Sequence, residues 1–372
     1  MQADHNVIMS SDSSARRVRA ALRWLLLPWW VLQVFSQEKS FQPNPILGSL
    51  RLSRRGFHVW RGRLAYRMTE RRRRRLEHLL APADRASFAR NGYVTRKDFL
   101  PPQLFRQLLE ELRSFAGEAG EFKEGDAITR RIPLTPEALR RLPACKALLA
   151  LPEWRGLTRY VSSFDSEPLV FIQTIFTRVD DGQTDPQTTM HIDTFHPSMK
   201  AWLFLEDVAE EDGPFCYVPG SHLRTPRREV WERRQSIRAA DPGNAKKGGA
   251  FRITKPELAR IGAAKPKRFA VPANTLVVGD TYGFHARRRS TRPSCRIEIW
   301  AYSRHNPFLP WTRFGLSWPP QLAAYAAPIG WWLMELRGRV GLPAPQFRRV
   351  RVAPADPPAP WSLGPARRHS TM

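Results

Sequence analysis

The spacing of apolar residues changes near residue 165. Ahead of it, Leu104, Leu108, Leu112 and Phe115 recur three or four positions apart, which lines them along one face of a helix with Asp98 as a start signal before it. The segment FARNGYVTRKDFLP, beginning at Phe88, predicts a short strand around Tyr93 and Val94. Beyond residue 165 the pattern turns to short runs rich in β-branched and aromatic residues. They are Leu169–Phe176, Trp202–Leu205, Phe215–Val218, Leu276–Val278 and Arg296–Tyr302, separated by turn residues. Many short strands with Gly and Pro turns predict a sandwich or barrel.

The flanking regions are less periodic. Residues 36 to about 68 mix Pro, Gly, Arg and aromatics and are read as an extended covering arm. Arg71–Arg75 is a run of five arginines before Leu76, Leu79 and Leu80; it reads as a solvated helix face, with an acidic partner as the alternative. Arg224 to Arg268 is strongly basic, poor in strand signal and placed between two core strands, where an active-site lid is inserted. Arg224, Arg227 and Arg228 are its candidate substrate-facing residues. Gly330–Val340 predicts a short amphipathic helix, while residues 1–15 and the last twenty read as polar tails. The organisation expected is an extension over 1–84, a catalytic domain over 85–310 and a Pro/Trp-rich extension over 311–372.

Charge alters this picture more than length does. The 372 residues hold 60 Lys and Arg against 34 Asp and Glu, a formal +26. Such a field draws polyanions such as acidic lipid, nucleic acid or phosphorylated substrates; the alternative is an Arg-rich composition that merely coats the surface. Cys145, Cys216 and Cys295 lie far apart without a CxxC pair, which excludes a disulfide framework or a zinc site and points to the cytoplasm. No run reaches the roughly 20 apolar residues that cross a bilayer. Trp24–Phe35 (WLLLPWWVLQVF) follows Arg16, Arg17, Arg19 and Arg23. It either lies in a membrane interface, at the inner face of the membrane, or docks its aromatics on the enzyme body; the break at Pro28 favours docking.

The candidate chemistry lies in two segments. TTMHIDTFHP places His191 and Asp193 one residue apart, so on an extended backbone both project to one side. A second imidazole from a distant strand completes a two-His, one-carboxylate facial triad, the donor set of non-haem Fe(II) with positions left open. His285 stands in GDTYGFHARRRSTRPSCRIEIWAY, and Arg296 follows eleven residues later on an alternating strand. A guanidinium there pairs bidentately with the far carboxylate of a dicarboxylate co-substrate, or else with the internal Glu298. His196 reads as an outer contact and His222 as a turn support after Pro219-Gly220.

These pieces resemble the phytanoyl-CoA dioxygenase-like oxygenases: NGYVTRKDFLP, HIDTFHP, AWLFLEDVAEEDGPFCYVPGSH over Ala201–His222, and GDTYGFH with Arg296 after it. Together they span about residues 85 to 305. The resemblance implies a double-stranded β-helix (jelly-roll) core with flanking helices. It implies Fe(II) on His191, Asp193 and His285, with 2-oxoglutarate held by Arg296 beside Trp202 and Gln173, and ascorbate as a candidate reductant. The reaction implied is decarboxylation of 2-oxoglutarate to succinate coupled to hydroxylation of an unactivated C–H bond. A carboxylate at Asp193 favours hydroxylation over halogenation, which needs a small residue there. One departure is Arg287, two residues past the distal histidine, where the family often has a small or hydroxyl residue.

Three substrate classes stay open. An anionic small molecule or lipid-linked compound suits the basic segment, whose arginines would meet phosphate, coenzyme A or an acidic sugar. Nucleic acid or protein is less favoured, because nucleic-acid demethylases usually carry a second Arg six residues past the anchor and Tyr302 stands there. A non-catalytic binding protein is the third.

Overall fold

The computed structural model describes residues 25–42, 44–179, 183–244, 248–313, 324–342 and 347–358. The N-terminal polar tail, the arginines at 16–23 and the end of the C-terminal tail lie outside them. Helices run over residues 25–34 (α1), Leu50–Arg54 (α2), Phe57–Arg75 (α3), Pro82–Asn91 (α4), Pro102–Ser114 (α5), Pro136–Arg141 (α6), Pro143–Ala150 (α7) and Pro152–Ser162 (α8). Later come Pro226–Ala240 (α9), Lys255–Arg260 (α10) and Ala326–Arg339 (α11). The strands are Tyr93–Arg96 (β1), Gly117–Glu124 (β2), Ala127–Pro133 (β3), Leu169–Thr177 (β4), Met199–Phe204 (β5) and Phe215–Tyr217 (β6). Lys267–Arg268 (β7), Thr275–Asp280 (β8), His285–Arg287 (β9), Ser294–Ser303 (β10) and Phe347–Val352 (β11) complete them.

The strands form an eight-stranded antiparallel sheet, ordered β1-β8-β5-β10-β4-β3-β2-β11, and a three-stranded sheet, β7-β6-β9. This is the expected jelly-roll-type core with flanking helices, and its sheets do not close into a barrel. Strand alternation sorts the side chains. Ile299 and Ala301 of β10, with Leu203 and Val278, pack against Leu108, Leu148, Trp154 and Leu157 from α5, α7 and α8. The opposite face packs Trp202, Trp300 and Val277 against Phe215, Tyr217 and Phe269 between the sheets. A smaller core joins Phe41 of the arm to Trp231 of α9, Ile192 of the first metal segment, and Tyr282 and Phe284 of the second. Arm and basic insertion are thereby packed onto the two segments that carry the candidate chemistry.

Two expectations need correction here. Among the described residues from 36 to 49 the arm carries bends and a turn closed by Gly48 N and Asn44 O; α2 and α3 make the rest helical. The helical period of α3 was hidden because its inward face is largely polar: beside Val59, Gly62 and Ala65, the buried positions are His58, Arg61, Thr69, Arg72 and Arg73. For the same reason the five-arginine run is not a wholly solvated face. Arg72 donates to Pro307 O at 3.0 Å and to Ser163 Oγ at 3.0 Å, and Arg73 Nη2 pairs with the buried Asp280 at 2.9 Å. The stretch from Arg224 to Arg268, read as poor in strand signal, contains α9 and α10 and only the two-residue β7 at its end. Pro28 does not prevent α1: residues 25–34 are helical with Pro28 among them. The strand at Tyr93, the helix through Leu104–Leu112 and the five later strand runs stand where the pattern put them.

Buried histidines give the fold a pH dependence. Burial pushes His58 and His305 down to about 4, and His196 and His222 down to about 3, from the ordinary 6.5. The unfolded chain therefore binds more protons than the folded one below pH 6.5. The stability these neutral rings contribute is complete above that pH and is lost as pH falls toward 4. The thermal midpoint should drop between about pH 7 and pH 5 in a buffer series; a flat midpoint over that range would contradict this assignment.

Candidate metal and co-substrate site

His191, Asp193 and His285 come together, their ligand atoms all within 4.8 Å of one another. Although His191 and Asp193 lie in a loop and not a strand, the loop is paired to the distal segment. His191 N donates to His285 O and His285 N to His191 O, each at 3.0 Å. Asp193 N is held by Thr281 O at 3.1 Å. These bonds register the two segments, although more than ninety residues separate them in sequence.

Each imidazole is oriented by its own neighbour. His191 Nδ1 lies 2.8 Å from Thr189 O and His285 Nδ1 lies 2.9 Å from Gly283 O. A carbonyl can only accept, so both Nδ1 atoms carry the proton and both Nε2 lone pairs face inward. They stand 3.8 and 3.6 Å from Asp193 Oδ1, and His285 Nε2 is buried with no hydrogen-bond partner among the described residues. Burial, then the neighbouring His285, keeps His191 neutral, down to about 3. Burial tends to raise the Asp193 carboxyl; the Lys200 ammonium, 2.7 Å from Oδ2, outweighs it and holds the group well below the usual carboxylate range. Two neutral nitrogens and one carboxylate oxygen form a donor set that fits a divalent iron. Gly283 lets Tyr217 pack against the distal segment, since a Cβ there would sit 1.9 Å from Tyr217 Oη.

Inward-facing residues of the large sheet line the cavity beside this group. Thr129 and Arg131 come from β3, Gln173 and Ile175 from β4, Lys200 and Trp202 from β5, and Arg296 and Trp300 from β10. Trp202 stacks on Phe215 at 4.2 Å between ring centroids. Buried Arg296 donates from Nη1 to Gly213 O at 3.1 Å, and its Nε lies 3.3 Å from Glu298 Oε2. Glu298 Oε1 accepts from Gln173 Nε2 at 2.6 Å, while Gln173 Oε1 accepts from Arg131 Nε at 2.8 Å. A buried polar chain thus joins two arginines that both open on the cavity. Arg287 also lines it and is met by Asp185, Nε to Oδ2, at 3.4 Å.

Other predicted residues lie elsewhere. Arg224 and Arg228 pair with the buried Glu232 at 3.0 and 3.1 Å, and Arg228 donates to Tyr282 O. They brace the distal metal segment and are absent from the cavity wall, and the exposed Arg227 lines a separate surface hollow with Trp231 and Glu257. From the basic insertion it is Ala250 and Arg252 that reach the cavity. His196, bonded through Nδ1 to Pro197 O, and His222, packed against Phe88, stand outside the metal group. Residues the sequence reading missed are Lys39, Arg131, Lys200 and Arg252. Lys200 was within reach, two positions before Trp202 on one strand. Lys39 was not, because nothing local shows that its Nζ donates to Asp193 O at 2.8 Å.

Residues 88–255 match the family model described as phytanoyl-CoA dioxygenase (PhyH). No curated protein sequence matches the chain. Among solved structures it is similar to the epimerase SnoN in complex with Fe3+, α-ketoglutarate and nogalamycin RO (20% identity, 61% of this chain and 82% of that one, TM-score 0.39). It is also similar to AviO1 from Streptomyces viridochromogenes (17% identity, 61% and 96% covered, TM-score 0.37). HygX from Streptomyces hygroscopicus with nickel and 2-oxoglutarate bound is a third (17% identity, 60% and 86% covered, TM-score 0.36). Likeness of this degree assigns no substrate.

Proposed function

We propose that the chain, which matches the phytanoyl-CoA dioxygenase family model over residues 88–255, is a 2-oxoglutarate-dependent non-haem iron enzyme and that it hydroxylates an anionic small molecule. In this reading His191, Asp193 and His285 hold Fe(II), and Arg296 holds the far carboxylate of 2-oxoglutarate. The observation that carries it is the pair of imidazoles whose Nδ1–H groups are both engaged by carbonyls, leaving two Nε2 lone pairs aimed at Asp193 Oδ1. When bound, the iron with 2-oxoglutarate and dioxygen supplies the oxidising chemistry.

The protein's own groups set up the rest. Glu298 and Gly213 O hold the Arg296 guanidinium in place before the co-substrate arrives, which lowers the ordering cost of binding. Trp202, Trp300 and Phe215 form an apolar wall that keeps water from the reacting centre. Lys200 fixes one oxygen of Asp193, so the other is the one presented to the metal. The anionic substrate follows from charge. Lys39, Arg131 and Arg252 line the cavity with no carboxylate at ion-pair distance among the described residues. One arginine beyond the co-substrate anchor suits a carboxylate or phosphate on the substrate. Nucleic acid is the weaker reading, because this charge sits inside a cavity and not along a groove.

The deciding experiment is an anaerobic visible spectrum with Fe(II) and 2-oxoglutarate added together. A charge-transfer band that requires both is the expected result, and its absence would end the proposal. Arg296→Gln should raise the KM for 2-oxoglutarate by roughly ten- to a hundredfold, the worth of a charged hydrogen-bonded pair, while Fe(II) affinity stays unchanged. Equal co-substrate KM in wild type and variant would remove Arg296 from the anchoring role.

A further inference from the structure

Helix α1 is apolar on every side, with the sequence LLLPWWVLQV over residues 25–34. Its inner stripe is tied to the body: Asn44 Nδ2 donates to Trp30 O at 3.0 Å, Arg61 Nε donates to Val34 O at 2.6 Å, and Val34 is buried. Its outer stripe is bare. Leu25, Trp29 and Leu32 follow at i, i+4 and i+7 and are 76%, 58% and 64% exposed. The stripe continues through exposed Phe35, whose ring meets exposed Trp60 edge-on at 6.3 Å. A helix apolar all round is stable only when covered on both sides, and a contiguous aromatic-rich patch of this kind marks an interaction surface.

We propose that this face is a docking surface for an anionic lipid bilayer, on which the protein rests as a peripheral enzyme. Charge complementarity selects that occupant. Residues 13–69 contain eleven Lys and Arg against one acid, Glu38. On α3, Arg67 and Arg71 follow Trp60 at i+7 and i+11, so exposed cations share its side of the helix. Arg51 and Arg54 of α2 and the following Arg55 are exposed as well. Tryptophan and leucine inward with arginine around them is the arrangement of a helix lying in the headgroup region. No described helix is long and apolar enough to cross the membrane, so the fit is to its surface. Docking also bears on the cavity. Asn306 Nδ2 bonds Phe35 O at 2.9 Å, and four residues further Lys39 reaches Asp193 O. A bilayer under α1 would bring the cavity wall formed by Lys39 close to the lipid surface.

The test is flotation of the full chain with vesicles of phosphatidylcholine alone or with about 30% phosphatidylserine. Wild type should float with the acidic vesicles, release in high salt, and stay down with the neutral ones. The paired substitution Trp29→Glu and Leu32→Glu should cut the floating fraction by about tenfold or more at an unchanged thermal midpoint. That readout does not depend on iron, so it separates this proposal from the catalytic one. Failure of wild type to float, equal flotation on neutral vesicles, or a variant that floats like wild type would overturn it. So would a wild-type dimer that the variant converts to monomer, which would give the face to a second copy of the chain.

Discussion

Replacing Asp193 with Ala should abolish the Fe(II)- and 2-oxoglutarate-dependent band and all turnover while leaving the fold intact. Asp193 is the only carboxylate in the three-residue metal group. Its loss removes the one anionic donor and exposes the two imidazoles to the Lys200 ammonium, which Oδ2 now engages at 2.7 Å. A cation-binding site would become a cation-repelling one. The expected loss of Fe(II) affinity therefore exceeds the about 10–100-fold that follows removal of an outer-shell partner. Lys200→Met provides that milder comparison, because it frees Asp193 Oδ2 but keeps all three donors. Titration of apo-protein with Fe(II) under argon, monitored by calorimetry, measures both. If Asp193→Ala binds iron as tightly as wild type, the proposed triad is wrong.

Replacing Asp280 with Ala should cost about 3–5 kcal/mol of stability, because it strands a buried guanidinium. Asp280 Oδ2 meets Arg73 Nη2 at 2.9 Å, with both side chains almost wholly buried. Its Oδ1 accepts from Ser198 N at 3.1 Å and Tyr282 N at 3.0 Å. One carboxylate therefore ties α3 to the residues just after the first metal segment and just before His285. Glu70 and Val161 O remain on Arg73 after the substitution, at 2.9 and 2.7 Å, but Glu70 is partly exposed and replaces little of the lost charge. Denaturant unfolding followed by tryptophan fluorescence measures the effect; a change under about 1 kcal/mol would show that Arg73 finds another partner. Because both metal segments hang from Asp280, Fe(II) affinity should fall as well.

The candidate site was legible from residue chemistry and order along the chain. His191, Asp193 and His285 are few, chemically distinctive and set in motifs that resemble a known family. Strand alternation also put Arg296, Glu298 and Trp300 on one face. The question left open for Arg296, internal carboxylate or co-substrate, turns out not to be exclusive: Glu298 takes Nε while the residue still lines the cavity. The basic segment misled because arginine carries two meanings that composition does not separate. Arg224 and Arg228 looked like a cationic lid, yet Glu232 and Tyr282 O absorb them into the packing under the distal metal segment.

The sequence by itself determined the strand-rich core, the candidate donor set and the excess of positive charge, because each rests on local period or on residue type. Only the tertiary structure decided which arginines are buried, that α3 is a helix with a polar inner face, and that Lys39 reaches the metal segment from the arm. Several of those contacts join residues far apart in sequence, such as Lys39 with Asp193 and Arg73 with Asp280. A charged side chain is buried only where an acceptor meets it, and local pattern does not record an acceptor that lies far along the chain.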